Sequence, residues 1–179
     1  EVAKQAADTA HGLGELTVSA NLLWTMLCGF MVMFMQAGFA MLETGLTRSK
    51  NVAHTMAMNF LVYSIGVVAF WVIGFGLQMG GVGALGTFGG ETTLSREFTI
   101  DVGGKIWGLF GSSGFFLSIA EYTPAVAALF LFQAVFMLAG SIIPTGALAE
   151  RWKFASFVAF TSVMTSFIYP LYANWVWGG

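Results

Sequence analysis

The chain has 179 residues, 57% of them hydrophobic and only 9% charged, with a formal net charge of −2. A soluble domain carries about 25% charged residues, so this composition excludes an ordinary soluble fold and points to a membrane protein. No glycine-rich phosphate loop, nucleophile elbow or Cys/His ligand spacing is present, so neither an enzyme nor a metal or cofactor site is expected.

The chain opens with a tail, residues 1–21, that holds Glu1, Asp8 and Glu15 against Lys4. It has no basic n-region and no initial methionine, as after removal of a signal peptide or with numbering that begins inside a longer sequence. No charge then appears between Glu15 and Glu43, a window longer than the roughly 20 residues a spanning helix needs, and a first span is predicted over 22–42. Cys28 lies within it, a small core residue that has no partner for a disulfide. Gly45 suits the end of this helix, and Ser49 or Asn51 the cap of the next. Between them sits a short basic turn with Arg48 and Lys50, close enough to Glu43 for a local ion pair.

A second charge-free window predicts a span over 52–76, with His54 near its start as a solvated or capped residue. The segment 77–124 follows, with Glu91, Glu97, Asp101 and Glu121 against Arg96 and Lys105. Its apolar stretch 106–119 is short and carries Gly108, Gly111 and Gly114, which reads as an interfacial or re-entrant piece. Thr123 and Pro124 supply a cap and a first-turn proline for a third span, 125–148. A second basic turn with Arg151 and Lys153 precedes a fourth span, 154–177. Pro144 and Pro170 fall inside these last two spans and favour kinks. The fold expected is all-α: a polytopic bundle of spanning helices. The two basic turns are predicted to be cytoplasmic, which puts the N-terminus and residues 77–124 outside. The tail and the segment each net two negative charges, in keeping with an outer face. The sequence stops on "WVWGG" without a polar tail and is expected to be the N-terminal part of a longer membrane protein.

Four amides, Gln36, Asn59, Gln133 and Asn174, lie in or near the spans, where bridging between helices is the expected use. Phe132 and Phe136 in "LFQAVF" share a helix face, but 18 phenylalanines in 179 residues give about 1.8 such i,i+4 pairs by chance and the sequence has two. Spacing therefore does not distinguish a plug from packing. Likewise Trp175 and Trp177 at a span end suit an aromatic interface belt.

The surrounding motifs change that balance. "AGFAMLETGLTRSKN" (37–51), "LFQAVF" followed by "GALAERWKF" (146–154), and "YPLYANWVWGG" (169–179) occur in this order and together resemble the first four helices of the ammonium transporter family (Amt/Mep/Rh). The resemblance implies eleven spanning helices, two inverted five-helix repeats plus one, assembled as a homotrimer with a pore in each subunit. It also implies an outer recruitment site in which Trp177 and Phe136 bind the cation, with Phe132 one turn further out and Phe136 and Phe132 serving as gate. The pore histidines of that family match neither His11 nor His54, and its second gate phenylalanine and hydroxyl partner fall beyond residue 179. The implied partners are ammonium or ammonia, the lipid bilayer and a cytoplasmic regulatory or signalling protein, with no nucleic acid. The function expected is transport across the cell membrane, with ammonium bound outside and crossing mainly as ammonia. The alternative is the ammonium-sensing membrane domain of a signalling protein.

Overall fold

The computed structural model describes residues 1–118 and 122–178. Ile119 and Glu121, which belong to the predicted outer segment, and Gly179 of the tryptophan motif lie outside the described residues. Among the described residues four helices are long and apolar enough to cross a membrane: Val2–Leu46, Ser49–Met79, Pro124–Ala147 and Phe154–Gly178. The chain is a mostly helical, multi-pass membrane protein.

The first helix, α1 (Val2–Leu46), is 45 residues long, about 68 Å at 1.5 Å per residue and twice the hydrocarbon thickness. The predicted tail 1–21 is therefore not separate from the span: its backbone bonds are satisfied by continuing the helix. Thr9 and Thr17 also turn their hydroxyls back onto the carbonyls of Gln5 and Leu13, at 2.8 Å each. The second rod begins with a 3-10 turn (Ser49–Asn51) and runs through α2 (Val52–Ala69), a π-helical turn (Phe70–Gly74) and α3 (Phe75–Met79). It ends three residues later than the predicted 76. The third helix, α4 (Pro124–Ala147), opens as its sequence suggests, Thr123 Oγ1 accepting the Val126 N–H at 3.2 Å and Pro124 standing in the first turn. The fourth rod combines α5 (Phe154–Val163), a π turn (Met164–Ile168), α6 (Tyr169–Ala173) and a last π turn (Asn174–Gly178). The π turn Met164–Ile168 comes just before Pro170, where a missing N–H would otherwise break the ladder. Pro144, by contrast, sits inside α4 with the helix continuing to Ala147.

α4 is the central helix, packing on α1 and α2. Its buried Val126, Leu129, Met137, Leu138 and Ile142 meet Met58, Val62, Phe70, Phe75 and Phe157 in one cluster. Lipid offers apolar groups the same solvent as a core does, so close packing and interhelical hydrogen bonds hold such a bundle together.

The segment between the second and third helices corrects the re-entrant reading. β1 (Ala84–Leu85) pairs with β2 (Gly90–Glu91), and β3 (Glu97–Val102) forms an antiparallel hairpin with β4 (Lys105–Gly111). Gly103 and Gly104 take φ of 65° and 81° at its tip, and Asp101 Oδ1 accepts the Gly104 N–H at 2.9 Å. The apolar stretch from residue 106 thus begins as a strand whose backbone is paired in the hairpin. Asn21 Nδ2 donates to the Thr87 carbonyl at 2.9 Å and ties α1 to this end of the molecule.

Candidate functional site

The aromatic residues singled out in the sequence occupy two elements at the hairpin end. Phe132 and Phe136 stack one turn apart on α4, their ring centroids 4.8 Å apart and tilted by 45°. Phe132 is half-buried and Phe136 is 38% exposed, so the pair closes ranks without being sealed inside the bundle. Trp177 stands in the last π turn of the fourth rod and is 62% exposed. Among the described residues its ring touches neither phenylalanine. Trp175 acts differently, its Nε1 donating to the Leu109 carbonyl at 2.9 Å and fastening the rod to β4. Residues two apart in a helical turn point to roughly opposite sides, so with Trp175 held by the hairpin, Trp177 faces away from it.

What connects the two elements is polar and buried. Gln133, between the two phenylalanines in sequence, accepts a hydrogen bond from Gln78 Nε2 at 2.7 Å through its own Oε1. Asn174, three residues before Trp177, donates from Nδ2 to the Gln78 carbonyl at 2.9 Å. All three residues are buried. A Cβ on Gly178 would come within 2.0 Å of that same carbonyl, so the residue after Trp177 can only be glycine if the rod is to lie this close. Gln78 escapes a sequence reading because it falls beyond the predicted end of the second span. The signal that could have found it is the apolar run around it, which continues to Met79.

The opposite end carries a second polar cluster. Glu43 does not pair with Arg48 or Lys50. It turns inward, is 7% exposed, and its Oε2 accepts Asn59 Nδ2 at 2.8 Å. Gln36 Nε2 donates to the Asn59 carbonyl at 3.0 Å. Gly146 leaves room for the carboxylate, since a Cβ there would lie 2.8 Å from Oε1. The four amides noted in the sequence thus all bridge helices.

Arg48 meets Glu150 instead. Its backbone N and Nε donate to the two carboxylate oxygens at 2.8 Å each, and Asn51 Nδ2 adds a third bond at 2.9 Å. The Arg48 and Asn51 donors hold the Glu150 carboxyl down at about 2, well below the usual carboxylate range. Asn51 spends its amide on this clasp and makes no side-chain cap for α2. His54 is exposed at the start of α2, and His11 stands 3.8 Å from Glu15 on the free part of α1.

Comparison with known proteins bears on the family and the fold. Residues 23–179 match the model of the Ammonium Transporter Family. The chain is 37% identical over 174 residues to the ammonium transporter Amt2 of Archaeoglobus fulgidus, covering 97% of this chain and 32% of that protein. It is also 37% identical over 161 residues to a putative ammonium transporter of Synechocystis sp., covering 90% of this chain and 25% of the relative. Among solved structures it is similar to one titled Sensor Amt Protein, with a TM-score of 0.75 and 29% identity over 92% of this chain and 36% of that one. The chain therefore spans between a quarter and about a third of the length of these relatives.

Proposed function

The chain belongs to the ammonium transporter family, and from that membership we propose that it carries the cation-recruiting entrance and the first part of the aromatic gate of a pore that moves ammonium or ammonia across the cell membrane. The observation that carries the reading is the pair of aromatic surfaces at the hairpin end: an open indole at Trp177 and a tilted phenylalanine pair at Phe132 and Phe136. In this reading the N-terminal part of α1 and residues 77–124 face outside, residues 22–179 form the membrane domain, and the pore works within a homotrimer.

The chemistry suits a small cation. Entering hydrocarbon unpaired would cost it tens of kcal/mol, so it must be paired or lose its charge. Aromatic faces attract it by roughly 0.5–2 kcal/mol each without providing a ligand strong enough to trap it. Trp177, with the most favourable ring, meets the ion first, and Phe136 offers the next face. Beyond the phenylalanines a narrow apolar path disfavours hydrated ions, and ammonia crosses with the proton carried separately.

Trp177→Leu keeps apolar bulk and removes the cation surface. It is expected to weaken ammonium binding by about 1–2 kcal/mol, roughly five- to thirtyfold, with little change in melting temperature. Unchanged affinity would return Trp177 to a belt residue. A second reading, ammonium sensing for a cytoplasmic partner, is favoured by the likeness to the structure titled a sensor. It uses the same entrance, and separates from transport by a protein that binds ammonium while methylammonium uptake stays at background.

A further inference from the structure

We propose that Gln78 is a positioning residue of the cation entrance, its side chain holding the phenylalanine helix and its backbone carbonyl holding the tryptophan-bearing rod, so that one residue sets the spacing between Trp177 and the Phe132/Phe136 pair. The inference rests on the reading of those three aromatics as the cation site.

Three observations support it. First, the two aromatic surfaces do not touch among the described residues, so ring packing does not fix their separation. A cation must sit within about 6 Å of a ring centroid to be attracted, which makes that separation matter. Second, Gln78 is fully buried and reaches both elements at once, through Nε2 to Gln133 at 2.7 Å and through its carbonyl to Asn174 at 2.9 Å. Its carbonyl is free for this because it lies in the last turn of α3, where a helix leaves its final carbonyls without internal partners. Third, both contacts bracket the aromatics closely in sequence. Gln133 follows Phe132 and precedes Phe136 by three residues. Asn174 precedes Trp177 by three, and Gly178, which follows it, lies flush on the Gln78 carbonyl. In an apolar surround an amide left without its partner is costly, so these bonds resist slippage of either element.

The test is a double-mutant cycle in the full-length protein in membrane vesicles, with methylammonium uptake as the probe. Gln78→Met keeps length and removes the donor to Gln133, and Gln133→Met removes the acceptor of the same bond should the first variant fail to fold. Each is expected to raise KM about three- to tenfold while changing the maximal rate less than about twofold. In the Trp177→Leu background the same substitutions are expected to add nothing further, because the surface they position is gone. An unchanged KM in the single variants, or the same fold increase in both backgrounds, overturns the positioning role and leaves Gln78 as packing. If instead Trp177→Leu alone leaves KM unchanged, the recruitment reading itself fails, and the positioning role with it.

Discussion

Glu43 is a carboxylate buried in an apolar helix end among neutral partners, with Asn59 as its side-chain donor and a glycine where a larger residue would collide with it. Removing the acceptor leaves one N–H of the buried Asn59 amide unsatisfied, the other being held by the Thr55 carbonyl, at about 1–3 kcal/mol, whereas an uncharged acceptor of the same shape preserves the bond. Glu43→Leu is therefore expected to lower stability by that amount and Glu43→Gln by much less, as measured by thermal melting in detergent. Gly146→Ala should behave like the leucine variant, because its methyl would fall 2.8 Å from Oε1. Equal melting of Glu43→Gln and Glu43→Leu would show that the Asn59 bond contributes nothing. Phe136 poses the converse case. A fully buried Phe→Ala costs about 3–5 kcal/mol, but Phe136 keeps 38% of its surface open, so Phe136→Ala is expected to cost well under that range and to alter uptake rate or selectivity instead. A loss within the range, with uptake kinetics unchanged, would make the ring a packing residue.

Among the elements, the clasp between the two basic turns has a pH signature of its own. The Glu150 carboxyl is held at about 2 in the folded protein, below its ordinary 4.5. A depressed carboxylate contributes stability that is fully present above the ordinary value and is lost as pH falls toward the folded one, here from 4.5 down to about 2. The melting difference between the wild type and Glu150→Gln should therefore shrink through that window. High salt should shrink it too, because the Arg48 side of the pair is exposed. A difference independent of pH would remove Arg48 as the cause. The clasp joins residues 102 positions apart, and so sequence proximity misdirects Arg48 toward Glu43. The same limit explains Gln78, whose partners are 55 and 96 positions away. What the sequence makes legible are features written locally: four uncharged windows, the Thr123–Pro124 start of α4, and the phenylalanine spacing on one face. The hairpin is written locally as well, in the Gly103–Gly104 turn between β-rich runs, but the glycines at 108, 111 and 114 suggest a re-entrant piece instead. The length of α1 is hidden because a polar start to a helix looks like a tail when composition alone is read.

At the scale of the molecule, the internal ties reduce orientation to a single choice. The Arg48–Glu150 clasp places both basic turns, with Arg48, Lys50, Arg151 and Lys153, at one end of the bundle. The Asn21–Thr87 bond and the Trp175–Leu109 bond gather the N-terminal half of α1, the β-hairpins and the end of the fourth rod at the other. Basic turns favour the cytoplasmic side, so the hairpin end with Trp177 is expected outside, and the charged first turns of α1 project beyond the bilayer there. Ser95 and Ser49 are both exposed and lie at opposite ends, which makes them suited to cysteine labelling after Cys28 is replaced by alanine. A membrane-impermeant thiol reagent added to intact cells is expected to modify Ser95→Cys and to spare Ser49→Cys until the membrane is opened. Because the ties hold each end together, a probe in the first turns of α1, such as Ala10→Cys, should label with Ser95→Cys. Labelling of Ser49→Cys alone in intact cells would invert the whole assignment and place the aromatic surfaces on the cytoplasmic side, where they could not recruit an ion from outside.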